Sequence, residues 1–141
     1  MASLQYSCRM PTLEGPRPIR LVLDTSAILA YAHGSVQVGA PLAEIDDEEA
    51  AVGLPTPCVV EARWMVGDPG RLDLLVRHRA TKIVGLSEDW SALRAAVDIV
   101  GRHDVAAALR VAADLGCAVL TAEPGLYAGL AGGGPVIAFA Y

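Results

Sequence analysis

Short apolar, strand-like runs alternate with helix-like segments along the chain after residue 18, and this alternation constrains the fold more than any other feature. Ile19-Arg20-Leu21-Val22-Leu23 is short, β-branched and apolar, as a strand buried on both faces must be. Asp24-Thr25-Ser26 then offers helix-capping oxygens, Ala27 to Ala32 continues as a helix, and Gly34 closes it. Residues 39–51 predict a second helix, whose acidic run over 44–49 reads as a solvated face or one turned to a protein partner. Residues 53–55 leave room for only a very short strand. Thr56-Pro57 reads as a cap followed by proline at the first helical position, opening a helix over 57–66 with Glu61 near its start. A short helix over 71–79 and a strand over 81–86 follow.

Ser87 is the expected cap of a longer helix, with Leu93, Ala96, Val97 and Val100 on one apolar face and Gly101 as its stop. Asp104 opens the next, with an inner face of Val105, Ala108, Leu109 and Ala112 and a stop at Gly116. Strands over 117–120 and 136–140 complete the pattern, separated by a short helix and the turn Gly132-Gly133-Gly134. Strands and helices in this order predict a three-layer α/β/α sandwich around a mainly parallel central sheet. At 141 residues one domain is expected, over 19–141, preceded by a flexible arm over 1–18 that carries Pro11, Pro16 and Pro18.

Composition excludes several classes. An apolar share of 53% argues against disorder. Two long stretches lack charge, residues 25–43 and 124–141, but Gly, Pro and polar residues interrupt both, so neither resembles the roughly 20-residue apolar span of a membrane helix. No secretory signal opens the chain, and a cytoplasmic protein is expected. Cys8, Cys58 and Cys117 are odd in number and far apart, which fits reduced thiols better than disulfides or a zinc site. The net charge of −5 argues against a general nucleic-acid coat, though not against a nuclease, whose metal site is itself a cluster of acids.

Ligands of an open parallel sheet collect at the carboxyl ends of its strands. Asp24 ends the first strand, Glu61 lies early in the helix after the second, Asp104 starts a helix, and Glu123 follows the strand over 117–120. All four could face one cleft. Carboxylates side by side raise one another's pKa, and a divalent cation relieves the repulsion. Oxygen ligands without His or Cys favour Mg²⁺ or Mn²⁺, which can activate water and steady a phosphodiester in flight. Taken singly, each acid reads as a helix cap or as a partner of a helix dipole. A Ser26, His103, Asp104 triad lacks a nucleophile turn, and the glycines near the C-terminus have no helix after them.

Four segments together resemble the PIN-domain family, over about residues 19–141. Leu21-Val22-Leu23-Asp24-Thr25-Ser26-Ala27-Ile28-Leu29-Ala30-Tyr31 looks like the family's first strand and first acid. Pro57-Cys58-Val59-Val60-Glu61-Ala62-Arg63 looks like the helix bearing the second, and His103-Asp104-Val105-Ala106-Ala107-Ala108 is similar to the segment with the third. Leu120-Thr121-Ala122-Glu123 resembles the family's Thr-x-Asp. The resemblance implies an endoribonuclease dependent on Mg²⁺ or Mn²⁺, most often the VapC-type toxin of a VapBC toxin–antitoxin pair. Asp24, Glu61 and Asp104 would then be catalytic metal ligands and Glu123 a more peripheral one, with Thr25, Ser26 and Thr121 orienting them. A homodimer, an RNA substrate and a small antitoxin are the partners implied.

Three features depart from the family pattern. Glu123 stands where Asp is usual and is longer by one C–C bond, roughly 1.5 Å. The arm over 1–18 is extra, and the stretch between Glu61 and Asp104 is compact. The alternative is a PIN-like module with weak or no nuclease activity that acts through protein contacts. Tyr31, Trp64 and Met65 are candidates for an interface, or for core packing.

Overall fold

The computed structural model describes residues 16–140. Most of the expected arm therefore lies outside the described residues. Its last residues are tied down: Pro18 accepts the backbone N–H of Ala51 at 2.8 Å, and Arg17 donates to Asp46 at 2.8 Å.

Within the described residues five strands form one parallel sheet: β1 (Ile19–Leu23), β2 (Ala51–Pro55), β3 (Thr81–Val84), β4 (Ala118–Thr121) and β5 (Val136–Ala138). Among the described residues six α-helices accompany it: α1 (Thr25–Ala32), α2 (Val36–Asp47), α3 (Thr56–Met65), α4 (Gly70–Val76), α5 (Trp90–Val100) and α6 (His103–Leu115). The fold is a three-layer α/β/α sandwich with strand order β3-β2-β1-β4-β5. No helix among the described residues is long and apolar enough to cross a membrane.

The strand order decides where a site can form. From β1 the chain steps outward to β2 and β3 on one side, then returns to place β4 on the other flank of β1. The crevice at the carboxyl ends of β1 and β4 is therefore the topological switch point of the sheet. α1 and α3 begin at this edge because each follows a strand, and α6 begins there because it runs back into β4. Parallel connection alone thus brings the starts of three helices to one rim.

The core is built from Leu21, Val22 and Leu23 of β1, Val52 and Leu54 of β2, Val119 of β4, and Ile28 of α1. α6 packs on β1, β2 and β4 and touches α3 and α5 as well. Its expected inner face is buried, but so are Ala106 and Ala107, because the helix is enclosed on more than one side. Small side chains permit that close approach, and they carry no periodic signal.

Several local expectations need correction. The second helix begins one turn earlier than residue 39, because Ser35 caps it by accepting from Gln37 N at 3.2 Å. It ends at Asp47, so the acidic run is not wholly solvated: half-buried Asp46 accepts from both Arg17 and Arg79, which hold its carboxyl well below the usual range. The chain turns out of this helix through Glu49 at φ 58, a conformation sequence rules reserve for Gly or Asn, and β2 gains two more residues than expected. Thr56 is not a cap: its hydroxyl donates to the Val84 carbonyl at 3.1 Å, fastening α3 to the end of β3. Asp89, not Ser87, caps α5, accepting from Ala92 N at 3.0 Å.

Candidate metal-binding acidic site

Asp24 leaves β1 in an extended conformation and caps α1, with Oδ1 accepting from Ala27 N at 3.1 Å and from Ser26 Oγ at 2.6 Å. Its Oδ2 accepts from the Tyr127 hydroxyl at 2.9 Å. The residue is 2% exposed, so these donors replace water around a buried carboxylate. Tyr127 comes from a single-turn 3-10 helix over Pro124–Tyr127 and is fully buried. Burial and the nearby Asp24 charge push its phenol far above the usual range, so it remains a donor at any working pH.

Asp104, 8% exposed, lies in the first turn of α6. Thr25, the neighbour of Asp24, donates to Asp104 Oδ2 at 2.6 Å and so bridges the two aspartates. Arg102 forks onto Asp104, with Nη2 to Oδ2 at 2.7 Å and Nε to Oδ1 at 3.1 Å. Burial pushes the Asp104 carboxyl up, but the bonds from Arg102 and Thr25 outweigh it, and the group titrates below its ordinary value. Cys58 of α3 donates its thiol to the Asp104 carbonyl at 3.2 Å, and burial raises that thiol to about 12, so it is an inert packing group.

The two glutamates sit outside this pair. Glu123 has a side chain 55% exposed, 3.7 Å from Arg102 Nη1. Glu61 is exposed on α3 and close enough to contribute to the field at Arg102. Thr25 and Ser26 hold the aspartates directly. Thr121 acts on the backbone instead, accepting from Glu123 N at 3.0 Å, while Ser26 Oγ accepts from Ala122 N at 2.9 Å.

The cleft beside these groups has a volume of about 360 Å³ and is lined by Thr25, Ser26, Leu29, Met65, Arg102, Ala122, Glu123, Phe139 and Ala140. Among the described residues no three His, Cys, Asp or Glu groups are already gathered as a metal cage. Arg102 supplies positive charge beside Asp104 and Glu123, which offsets repulsion between these two acids. The donor set itself, all oxygen and mostly carboxylate, fits a hard divalent ion.

Arg102 and Tyr127 escape sequence reading. Neither belongs to the acid spacings that mark the site, and only the Arg two residues before an acid at a helix start could have drawn notice.

No protein-family model matches the chain, and no curated protein matches it. It is similar to the crystal structure of PAE2754 from Pyrobaculum aerophilum, with a TM-score of 0.54 and 19% identity over 87% of this chain and 86% of that one. At this identity the likeness speaks for the fold alone.

Proposed function

We propose that the chain is a metal-dependent endoribonuclease of PIN type, the toxin of a cytoplasmic toxin–antitoxin pair. The observation that carries the reading is two buried aspartates, Asp24 and Asp104, bridged through Thr25 at the switch point of a parallel sheet. Asp24 and Asp104 would hold Mg²⁺ or Mn²⁺, with Glu61 and Glu123 completing the set from the rim. When bound, the ion supplies an acidified water and charge stabilisation for the phosphodiester. The chain's own groups do the rest. Ser26 and Tyr127 fix the Asp24 rotamer, Thr25 fixes that of Asp104, and Leu29, Met65 and Phe139 give the cleft an apolar wall against which unpaired bases can rest.

Purified protein with millimolar Mn²⁺ or Mg²⁺ is expected to cut RNA, and chelator to stop it. Chelator-resistant cleavage, or none with either ion across varied RNAs, would sink the reading. One observation favours the alternative, a PIN-like module without nuclease activity: the acids already have a cation in Arg102.

The partners proposed are a small antitoxin and a second copy of the chain. Val60, Trp64 and Met65 of α3 are exposed, Trp64 by 85%, whereas Tyr31 is half-buried and packs on the core. An apolar face of this kind suits a protein interface. Light scattering at micromolar concentration should return a dimer mass, and a clean monomer would remove the second copy from the proposal.

A further inference from the structure

Arg102 is placed against the local rules of its helix. It stands at the N-cap of α6, the longest helix among the described residues, where Ser, Thr, Asp or Asn would accept a free backbone N–H. Arg102 makes no side-chain cap bond there, and a cation at a helix N-terminus opposes the helix dipole. Nor is its position an accident of a loose loop. Gly101, left-handed at φ 81, ends α5, and Arg102, extended at φ −139, starts α6 directly after it. Two residues make the whole connection, so the backbone of Arg102 is fixed between two helix ends. A residue that breaks local preference inside a site is where function is to be sought.

What offsets these penalties is the contact with the acids. The fork takes both Asp104 oxygens, and because Thr25 also donates to Oδ2, that atom has both lone pairs occupied. The far nitrogen reaches toward Glu123 at 3.7 Å. A divalent ion ligated by Asp104 would meet this guanidinium at contact range, where like charges repel. The side chain is 42% exposed, so it can turn outward on its flexible stem, whereas Asp104 is held by its helix.

We propose that Arg102 is a built-in counter-cation that holds the place of the divalent ion, and that it must turn away from Asp104 before the ion binds, so that it sets the metal affinity of the site. This rests on the metal-dependent reading above. In the metal-free protein Arg102 neutralises the acids and keeps the rim assembled. The site therefore responds to metal concentration through a competition between one internal charge and one external ion.

Mn²⁺ alone is the probe, titrated calorimetrically into wild type, Arg102→Gln and Arg102→Lys, with melting temperatures recorded in Mn²⁺ and in Na⁺ at matched ionic strength. Arg102→Gln should bind Mn²⁺ at least about tenfold more tightly than wild type, the factor for losing about 1.4 kcal/mol of competition. Its metal-free melting temperature should fall, since Asp104 is left without its partner. Adding Asp104→Asn to Arg102→Gln should abolish the gain, which locates the ion. Arg102→Lys keeps the charge without the fork and should bind with an affinity between the two; it decides the matter if the Gln variant does not fold. Unchanged or weaker Mn²⁺ binding in the variants, with wild type binding normally, overturns the role of Arg102 and leaves the metal reading intact. No binding by any of the proteins overturns the metal reading, and this proposal with it.

Discussion

Tyr127→Ala is expected to remove about 3–5 kcal/mol of stability, the usual cost of deleting a large buried aromatic side chain. Tyr127 has no exposed surface, lies in a single turn between β4 and β5, and spends its hydroxyl on Asp24 Oδ2. Two losses combine in the alanine variant: an unfilled cavity, and a buried carboxylate oxygen without its donor. Tyr127→Phe separates them. The ring remains and only the hydrogen bond goes, so about 1–3 kcal/mol should be lost. Denaturant titration of the three proteins provides the comparison. An alanine variant as stable as wild type would mean that the turn over 124–127 does not pack under the site.

The dependence of Asp24 on a residue 103 positions away illustrates what sequence reading reaches and what it misses. The passage from β1 through Asp24 into α1 is legible because one short stretch holds a buried apolar run, a capping acid and a helix-forming segment. α5 is legible for a similar reason, its Ala96 and Val100 being buried at helical spacing. The end of α2 is not, because the turn after it uses Glu49 at positive φ where a reader looks for glycine. α6 is only half legible, since alanine at 106 and 107 gives no sign of a second buried side.

Strand order lies beyond periodicity altogether. The apolar runs indicate that strands exist and are mainly parallel, but which strand neighbours which is settled by long-range pairing such as Leu23 with Leu120. That order is what turns four separate acids into candidates for one rim. The acid spacings led to Asp24 and Asp104, which Thr25 bridges, and to Glu61 and Glu123, which remain at the edge. They gave no hint of the cation among them, because a search for metal ligands counts acids and passes over arginine. The charge balance at the site is a property of three-dimensional placement. Arg102, Asp104 and Glu123 meet because α6 and the end of β4 share one edge of the sheet.

Asp24→Asn carries the largest expected effect on activity. Asn caps a helix as well as Asp, so α1 should start normally, and the amide has nearly the same shape. What disappears is the negative charge that a divalent ion needs. Tyr127 and Ser26 can each pair with an amide, so the fold should persist with little change in melting temperature. Cleavage of RNA should fall by at least about tenfold, the lower end of what disturbing a metal site's supporting groups costs. Because the variant keeps the cap, the loss is attributable to the charge and not to unfolding.

The most direct measurement is therefore a side-by-side rate of RNA cleavage by wild type and Asp24→Asn, in nuclease-free preparations with saturating Mn²⁺, both proteins first shown to be folded. A metal-dependent wild-type rate at least about tenfold above that of Asp24→Asn is expected. Equal rates from the two proteins, or no cleavage by either, would contradict the assignment of nuclease chemistry to this site.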